Sequence, residues 1–294
     1  MRVAIFNKHI QLKSMSCAHG HCQPQPIPKA VNLFVRVTDY CNARCPFCSN
    51  GGSHKNTVEF NHVKLWKVID EIRREGITIN RINITGGEPS VSIGTVNKIL
   101  KTAISEQYHN IHLHLNTNGL LPASQEMMRH PRWNSISMSL HHYDQDKLSE
   151  IYGVPISRKE LTFEDIDLGR VNASCNLIGG YIDNTIEVEK MLKFAISVGL
   201  PRLGFVALMK VNDYCREHYI DFDEINFNTI PHLYFTESRN RGGDCKCSNY
   251  LYNHNGRILE VYMRNYANPN YCESSLMFDG QYLRQGFHDD NIIY

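Results

Sequence analysis

The chain lacks any apolar run long enough to span a membrane. Its first residues, Met-Arg-Val-Ala-Ile-Phe-Asn-Lys-His-Ile, also lack the uninterrupted apolar core and cleavage site of a signal peptide. These absences predict a cytoplasmic protein with no membrane partner. Net charge is missing too: 31 basic and 30 acidic residues, spread along the chain, leave +1. That balance gives no electrostatic reason to expect a nucleic acid or an anionic membrane, so a peptide or a small, roughly neutral molecule is the expected ligand. Cysteine, by contrast, is plentiful, at 10 residues. In a reducing compartment structural disulfides are not expected, and clustered cysteines point to metal or redox chemistry. At 294 residues and 42% hydrophobic, the chain suits one sizeable domain with an appendage, or two modest domains.

Residues 1–30 are irregular in pattern and hold Cys17-Ala-His-Gly-His-Cys22. A stretch broken by Pro24, Pro26 and Pro28 follows and should be extended. From Val31 a strand–helix alternation begins. Strand-like runs fall at 31–37, 81–85, 112–116, 135–140, 170–178 and 202–209. One helix places Leu65, Trp66, Ile69 and Ile72 on a single face and stops at Gly76. Another runs from about Thr185 to Val198, with Met191, Leu192, Phe194 and Ala195 inward, and ends at Gly199. Six strands with helical connections predict an α/β fold with a parallel sheet, whose ligands bind in the loops after the strands.

The loop after the first strand reads Asp-Tyr-Cys41-Asn-Ala-Arg-Cys45-Pro-Phe-Cys48, a C-x-x-x-C-x-x-C spacing with an aromatic before the last cysteine. Three thiolates in eight residues are able to hold three corners of a 4Fe–4S cubane and leave the fourth iron open for chemistry. Thiolates also suit zinc, but no C-x-x-C/C-x-x-C layout accompanies these. Thr85-Gly86-Gly87-Glu88-Pro89 follows the second strand, where paired glycines permit close backbone approach and Pro89 sets up a helix. Taken alone it would be an ordinary turn. Asn116-Thr117-Asn118-Gly119 ends the third strand, and its glycine also suits a turn.

After the fourth strand come Ser137, Ser139, His141 and His142, of which the two histidines are expected to be solvated loop residues. In the fifth strand Asn172, Ser174 and Asn176 alternate with Val171, Ala173, Cys175 and Leu177. A polar face on a buried strand suggests a barrel interior around a polar ligand. Cys175, on the other face, reads as core.

Four motifs in order at strand ends resemble the radical S-adenosylmethionine (SAM) superfamily over about residues 31–210. The resemblance implies a partial six-strand (β/α)6 barrel. It makes Cys41, Cys45 and Cys48 ligands of a 4Fe–4S cluster whose open iron chelates SAM. Gly86, Gly87, Glu88 and Pro89, then Asn116, Thr117 and Asn118, and the polar groups Ser137, Ser139, Asn172 and Ser174 become SAM-binding candidates. It further implies an electron donor such as flavodoxin or ferredoxin. Reductive cleavage of SAM would give a 5′-deoxyadenosyl radical that takes a hydrogen atom from substrate.

Beyond Met209 the β/α rhythm stops, and residues 211–294 read as a separate C-terminal region. There Cys245 and Cys247 lead into a hairpin that turns at Asn255-Gly256, with Cys272 beyond it. Cysteine, hairpin, cysteine is similar to the shortened SPASM ("twitch") extension of some radical SAM enzymes, which implies an auxiliary 4Fe–4S cluster on Cys245, Cys247 and Cys272. Its fourth ligand would be Cys215, Cys17 or Cys22, or would be absent. Cys17 and Cys22 alternatively form a separate metal site, or none. Cys215 is also placed to donate a hydrogen atom to a substrate radical, as a cysteine does in radical SAM peptide epimerases.

The first functional expectation is therefore peptide modification, by epimerisation or crosslinking, although residues 1–30 are short for the usual leader-peptide recognition domain. The alternative is a dehydrogenase or cyclase acting on a sugar or nucleotide. The tail and the fifth-to-sixth-strand region are similar to the molybdenum-cofactor cyclase, but the chain ends Asn-Ile-Ile-Tyr without that family's Gly-Gly, which counts against that specific activity. The remaining alternative, a non-catalytic metal-binding module, is opposed by the presence of all three cysteines together with Gly-Gly-Glu-Pro.

Overall fold

The computed structural model describes residues 1–12, 15–18, 21–50, 59–156, 163, 165–238, 247–265, 274–286 and 291–294. Two antiparallel strand pairs come first: β1 (Arg2–Ile5) with β2 (Lys8–Gln11), and β3 (Met15–Ala18) with β4 (His21–Ile27). The proline stretch is extended as expected, and among the described residues β4 pairs with β3 alone, so the N–H groups missing at Pro24 and Pro26 deprive no second ladder there. The described residues of 1–30, expected to be irregular, otherwise form these two strand pairs. The turn between β1 and β2 is Phe6-Asn7, both at positive φ (48° and 62°), with no glycine to announce it in the sequence.

The repeating part follows as β5 (Ala30–Arg36), α1 (His62–Arg74), β6 (Thr78–Thr85), α2 (Ile93–Ala103), β7 (Leu113–Thr117), α3 (Pro122–Arg129), β8 (Ser135–Ser139), α4 (Gln145–Tyr152), β9 (Val171–Leu177), α5 (Thr185–Ser197), β10 (Arg202–Ala207) and α6 (Asp213–Glu217). Strands β5 to β10 lie side by side in chain order and all run parallel, giving the expected α/β partial barrel of six strands. Helix α1 is capped by the Asn61 side chain, which accepts from the Lys64 amide at 2.9 Å, and closes at Gly76, whose φ of 66° suits glycine. It buries Leu65, Val68, Ile69 and Ile72. Trp66, expected on that face, lies at its flank with its ring 4.3 Å from that of Tyr108. In α5, likewise, Phe194 is half-buried while Val188 and Ile196 join the buried stripe.

The last segment contributes β11 (Leu233–Ser238), β12 (Ser248–His254), β13 (Arg257–Asn265), β14 (Ser275–Phe278) and β15 (Leu283–Gln285). The β12–β13 hairpin turns on Asn255-Gly256, at φ 52° and 78°, as its sequence announces. Its placement is not announced. β13 runs parallel beside β10, and β14 runs parallel beside β5, so residues 211–294 add strands to both edges of one sheet of 11 strands.

Alternation along the strands divides the sheet into two chemistries. Leu33, Val35, Ile82, Ile84, Leu113, Leu115, Ile136 and Met138 pack with the helices, and so do Val171, Ala173, Cys175, Leu177, Leu203 and Phe205. The register puts the other face in rows. Phe34 pairs with Asn83 and Asn83 with His114, then Asn116 with Ser137 and Ser137 with Asn172. Ser139 pairs with Ser174 and Ser174 with Gly204. Each buried aliphatic on the helix side stabilises the fold by about 1.5–3 kcal/mol, and a one-residue slip would exchange the two faces. Phe205→Ala, at a fully buried site beside Phe227, is expected to cost about 3–5 kcal/mol in urea unfolding.

Candidate functional site

All the strand-end motifs meet at the carboxyl end of the six parallel strands, because each is the first segment to leave the sheet. The loop after β5 carries Cys41, Cys45 and Cys48, all three half-buried. It begins by continuing the ladder beside β6: the Val37 amide donates to Thr85 O at 2.9 Å, the Gly87 amide to Thr38 O at 2.7 Å, and the Glu88 amide to Tyr40 O at 2.8 Å. The two glycines are required by this approach. A Cβ on Gly87 would lie 2.6 Å from Asp39 O, and one on Gly86 would overlap Thr38 O. The Asn50 side chain donates to Gly86 O, drawing the far end of the loop to the same turn.

Glu88 ties this assembly to the next strand. Its side chain is buried, and its Oε1 accepts from the Thr117 hydroxyl at 2.7 Å and the Ser90 amide at 3.0 Å. Its Oε2 accepts from the Asn118 amide at 2.7 Å. Burial raises the Glu88 pKa, and these hydrogen bonds oppose the rise. Asn118 then donates from Nδ2 to Asn42 Oδ1 at 2.8 Å and to Cys41 Sγ at 3.8 Å. Pro89 opens a short 3-10 turn, as its position suggested.

Opposite, the Tyr152 carbonyl at the end of α4 accepts from the Arg44 amide at 2.7 Å. The Phe47 ring meets the His141 ring edge-on, with centroids 5.0 Å apart. His141 and His142, expected to be solvated, are both buried, at 5% and 4% exposure. His141 Nδ1 accepts from the Asn176 amide at 3.2 Å, and desolvation lowers its pKa to about 3.

Among the described residues no three ligand-type side chains converge on a single-ion site. The three thiols nevertheless feel one another. Burial pushes Cys41 up to about 11, helped by Glu88 and Cys48 and opposed by hydrogen bonds from Ala43 and Asn118. Cys45 is raised by burial and then by Cys48 and Cys41. Thiols close enough to repel as thiolates, yet not gathered on one ion, suit a cluster that presents separate irons at its corners and supplies the missing positive charge.

The remaining candidates are dispersed. Asn116, Ser137, Ser139, Asn172 and Ser174 line the polar face below the mouth, all half-buried. There the buried Oδ1 of Asn172 and Nδ2 of Asn83 have no hydrogen-bond partner among the described residues. Cys175 is core, as expected. Cys215 is fully buried, and its thiol donates to the Phe47 carbonyl at 3.6 Å. Cys247 Sγ accepts from the Asn265 amide at 3.3 Å, and Asn265 is the register partner of Ala207, so Cys247 stands at the same end of the sheet as the cysteine loop. Cys245 and Cys272 lie outside the described residues. Cys17 and Cys22 are register partners across β3 and β4. Asn42, Asn50, Asn83, Asn212 and Tyr152 escaped the sequence reading, since each belongs to the site through a contact with a distant segment.

Gly87→Ala is expected to disrupt the cysteine loop and to yield protein that retains little iron after anaerobic reconstitution, measured as iron per chain. His141, neutral in the fold and protonated near its ordinary value when unfolded, withholds a proton between those two pKa values. Stability should therefore fall as pH drops below the ordinary histidine range towards about 3. Urea unfolding at pH 7 and pH 5 should show this loss in the wild type and a smaller one in His141→Gln.

Comparison with known proteins agrees with this geometry. Residues 35–195 match the Radical SAM superfamily. The chain is 28% identical over 199 residues to a GTP 3',8-cyclase of Alkaliphilus oremlandii, covering 65% of this chain and 61% of that one. It is 26% identical over 209 residues to the GTP 3',8-cyclase of Aquifex aeolicus, covering 66% and 62%. It thus spans about six-tenths of the length of these curated relatives. In fold it is similar to Streptococcus suis SuiB bound to S-adenosylmethionine, at TM-score 0.51 and 17% identity over 66% of this chain and 44% of that one. A radical SAM methyltransferase from Sphaerobacter thermophilus is similar at TM-score 0.50 and 17% identity over 66% and 60%. With its three-cysteine loop, its Gly-Gly-Glu-Pro turn and its six-strand barrel, the chain belongs to the radical SAM superfamily.

Proposed function

We propose that this chain is a radical SAM enzyme acting on a small, hydrogen-bond-rich metabolite of nucleotide or sugar type. The observation that carries this reading is the polar face inside the barrel. Along it, beside the SAM candidates Asn116, Ser137, Ser139 and Ser174, the amides of Asn83 and Asn172 have buried atoms with no hydrogen-bond partner among the described residues. Such groups are costly to leave unpaired and complement the hydroxyls and ring nitrogens of a small polar molecule. The curated relatives, which are nucleotide cyclases by name, support the same class.

In this reading Cys41, Cys45 and Cys48 hold three irons of a 4Fe–4S cluster. Gly86, Gly87, Asn116, Thr117, Asn118 and the strand-end serines contact SAM, while Glu88 and Pro89 hold the turn in shape. Once bound and reduced by a flavodoxin- or ferredoxin-type donor, the cluster supplies the electron that splits the SAM C–S bond. The protein's own work is to hold the target carbon beside the resulting radical, and the amides of Asn83 and Asn172 orient the substrate for that step. An auxiliary cluster on Cys245, Cys247 and Cys272 is part of the proposal, supported by the place of Cys247 at the substrate end of the sheet.

The test is release of 5′-deoxyadenosine by reduced, reconstituted protein given SAM with GTP, free nucleosides, sugars or short peptides. Stimulation by a nucleotide, nucleoside or sugar is expected. Stimulation by peptides alone would return the substrate to the peptide class, and no release under any condition would favour a non-catalytic module.

A further inference from the structure

We infer that α6, through Asn212 and Cys215, is a strap that positions residues 45–48 of the cysteine loop and so the Cys48 corner of the cluster. A loop is the least constrained kind of segment, yet this one must present three thiolates in a fixed geometry and leave one iron open. Its first part is held by β6 and β7, through the Glu88 amide on Tyr40 O and through Asn118 on Cys41 and Asn42. Its middle is held by α4, through Tyr152 O on the Arg44 amide. For residues 45–48 the hydrogen bonds to another element, among the described residues, come from α6 and its cap. Asn212 Nδ2 donates to Pro46 O at 2.9 Å, and Cys215 Sγ donates to Phe47 O at 3.6 Å.

The two straps are built together. The Oδ1 of Asn212 accepts from the Cys215 amide at 2.8 Å, so one side chain caps α6 and grips the loop at once. Cys215 is fully buried among Ile151, Ile178 and Leu208, and the Phe47 ring packs against the same group. A thiol suits that position because it loses little on desolvation while keeping one weak donor for the Phe47 carbonyl. The His141 ring closes the other side of Phe47. The carbonyls of both residues preceding Cys48 are thereby fixed by a segment more than 160 residues away in the chain. Asn212 and Cys215 are positioning residues, since they act on the cluster through Pro46 and Phe47.

The test uses reconstituted full-length protein and four variants. Asn212→Asp keeps the cap acceptor and loses the donor to Pro46. Cys215→Val keeps the apolar packing and loses the donor to Phe47, whereas Cys215→Ser keeps a donor. Phe205→Ala, whose ring packs beside Phe227, controls for general destabilisation. Iron release to bathophenanthroline disulfonate and the EPR spectrum of the reduced cluster are read alongside circular dichroism. Asn212→Asp and Cys215→Val should release iron about fivefold faster than wild type and shift the EPR signal, the scale expected for one lost hydrogen bond. Cys215→Ser should resemble wild type. The inference is overturned if both loop variants match wild type in release and spectrum, or if Phe205→Ala accelerates release as much as they do. It is also overturned if Cys215→Ser keeps its iron and still forms 5′-deoxyadenosine but makes no product, because the thiol would then act on substrate. Should one variant fail to fold, the other decides. No substrate enters the iron and EPR measurements, so an error in the proposed substrate class leaves them unchanged.

Discussion

The buried carboxylate of Glu88 is the interaction on which the mouth of the barrel depends. At 1% exposure it has exchanged water for two backbone amides and one hydroxyl, all contributed by the turns that follow β6 and β7. Without those donors a buried carboxylate would cost several kcal/mol, and with them it joins two strand ends that have no ladder left to share. Everything at the mouth then follows in sequence. The Glu88 amide holds Tyr40, the paired glycines let the loop backbone settle against the turn, and Asn118, positioned by the same carboxylate, reaches the first cysteine.

A second constraint is electrostatic. Three thiols sit in a partly desolvated loop beside Glu88, and burial, then repulsion from neighbouring thiolates, disfavours the ionised forms of Cys41 and Cys45. Iron held by these thiolates, as the proposed cluster requires, would reverse this, because a thiolate bound to a cation is no longer an unpaired buried charge. The protein contributes carbonyl, amide and side-chain anchors from β6, β7, α4 and α6.

Below the mouth the sheet separates two environments by its period-two alternation alone. The helix side is apolar throughout β5 to β10, and the opposite side carries amides, hydroxyls and a histidine. On that side Asn83 and Asn172 each keep a buried amide atom with no hydrogen-bond partner among the described residues. Strands β13 and β14 widen the same sheet at both edges, so the segment that follows the repeating units becomes wall of the barrel.

Much of this was legible in the sequence because it is local. The six strands, the ends of α1 and α5, the Asn255-Gly256 hairpin and the alternation in β9 each follow from side-chain period, capping residues and turn chemistry within about ten residues. The cysteine spacing and the Gly-Gly-Glu-Pro turn are local as well. The β1–β2 hairpin escaped because Phe6 and Asn7 adopt positive φ without glycine, and the burial of His141 and His142 escaped because polar residues after a strand ordinarily meet water. By itself, then, the sequence determined the elements and their order, since short-range sterics and hydrophobic period decide these, and it placed three cysteines in one strand-end loop. Only the tertiary structure decided that Asn118 and Asn212 grip successive parts of that loop, that Cys215 lies against Phe47, and that β13 and β14 flank the barrel. Those are pairings between segments far apart in the chain, selected by the burial and hydrogen bonding available once the sheet has closed around them.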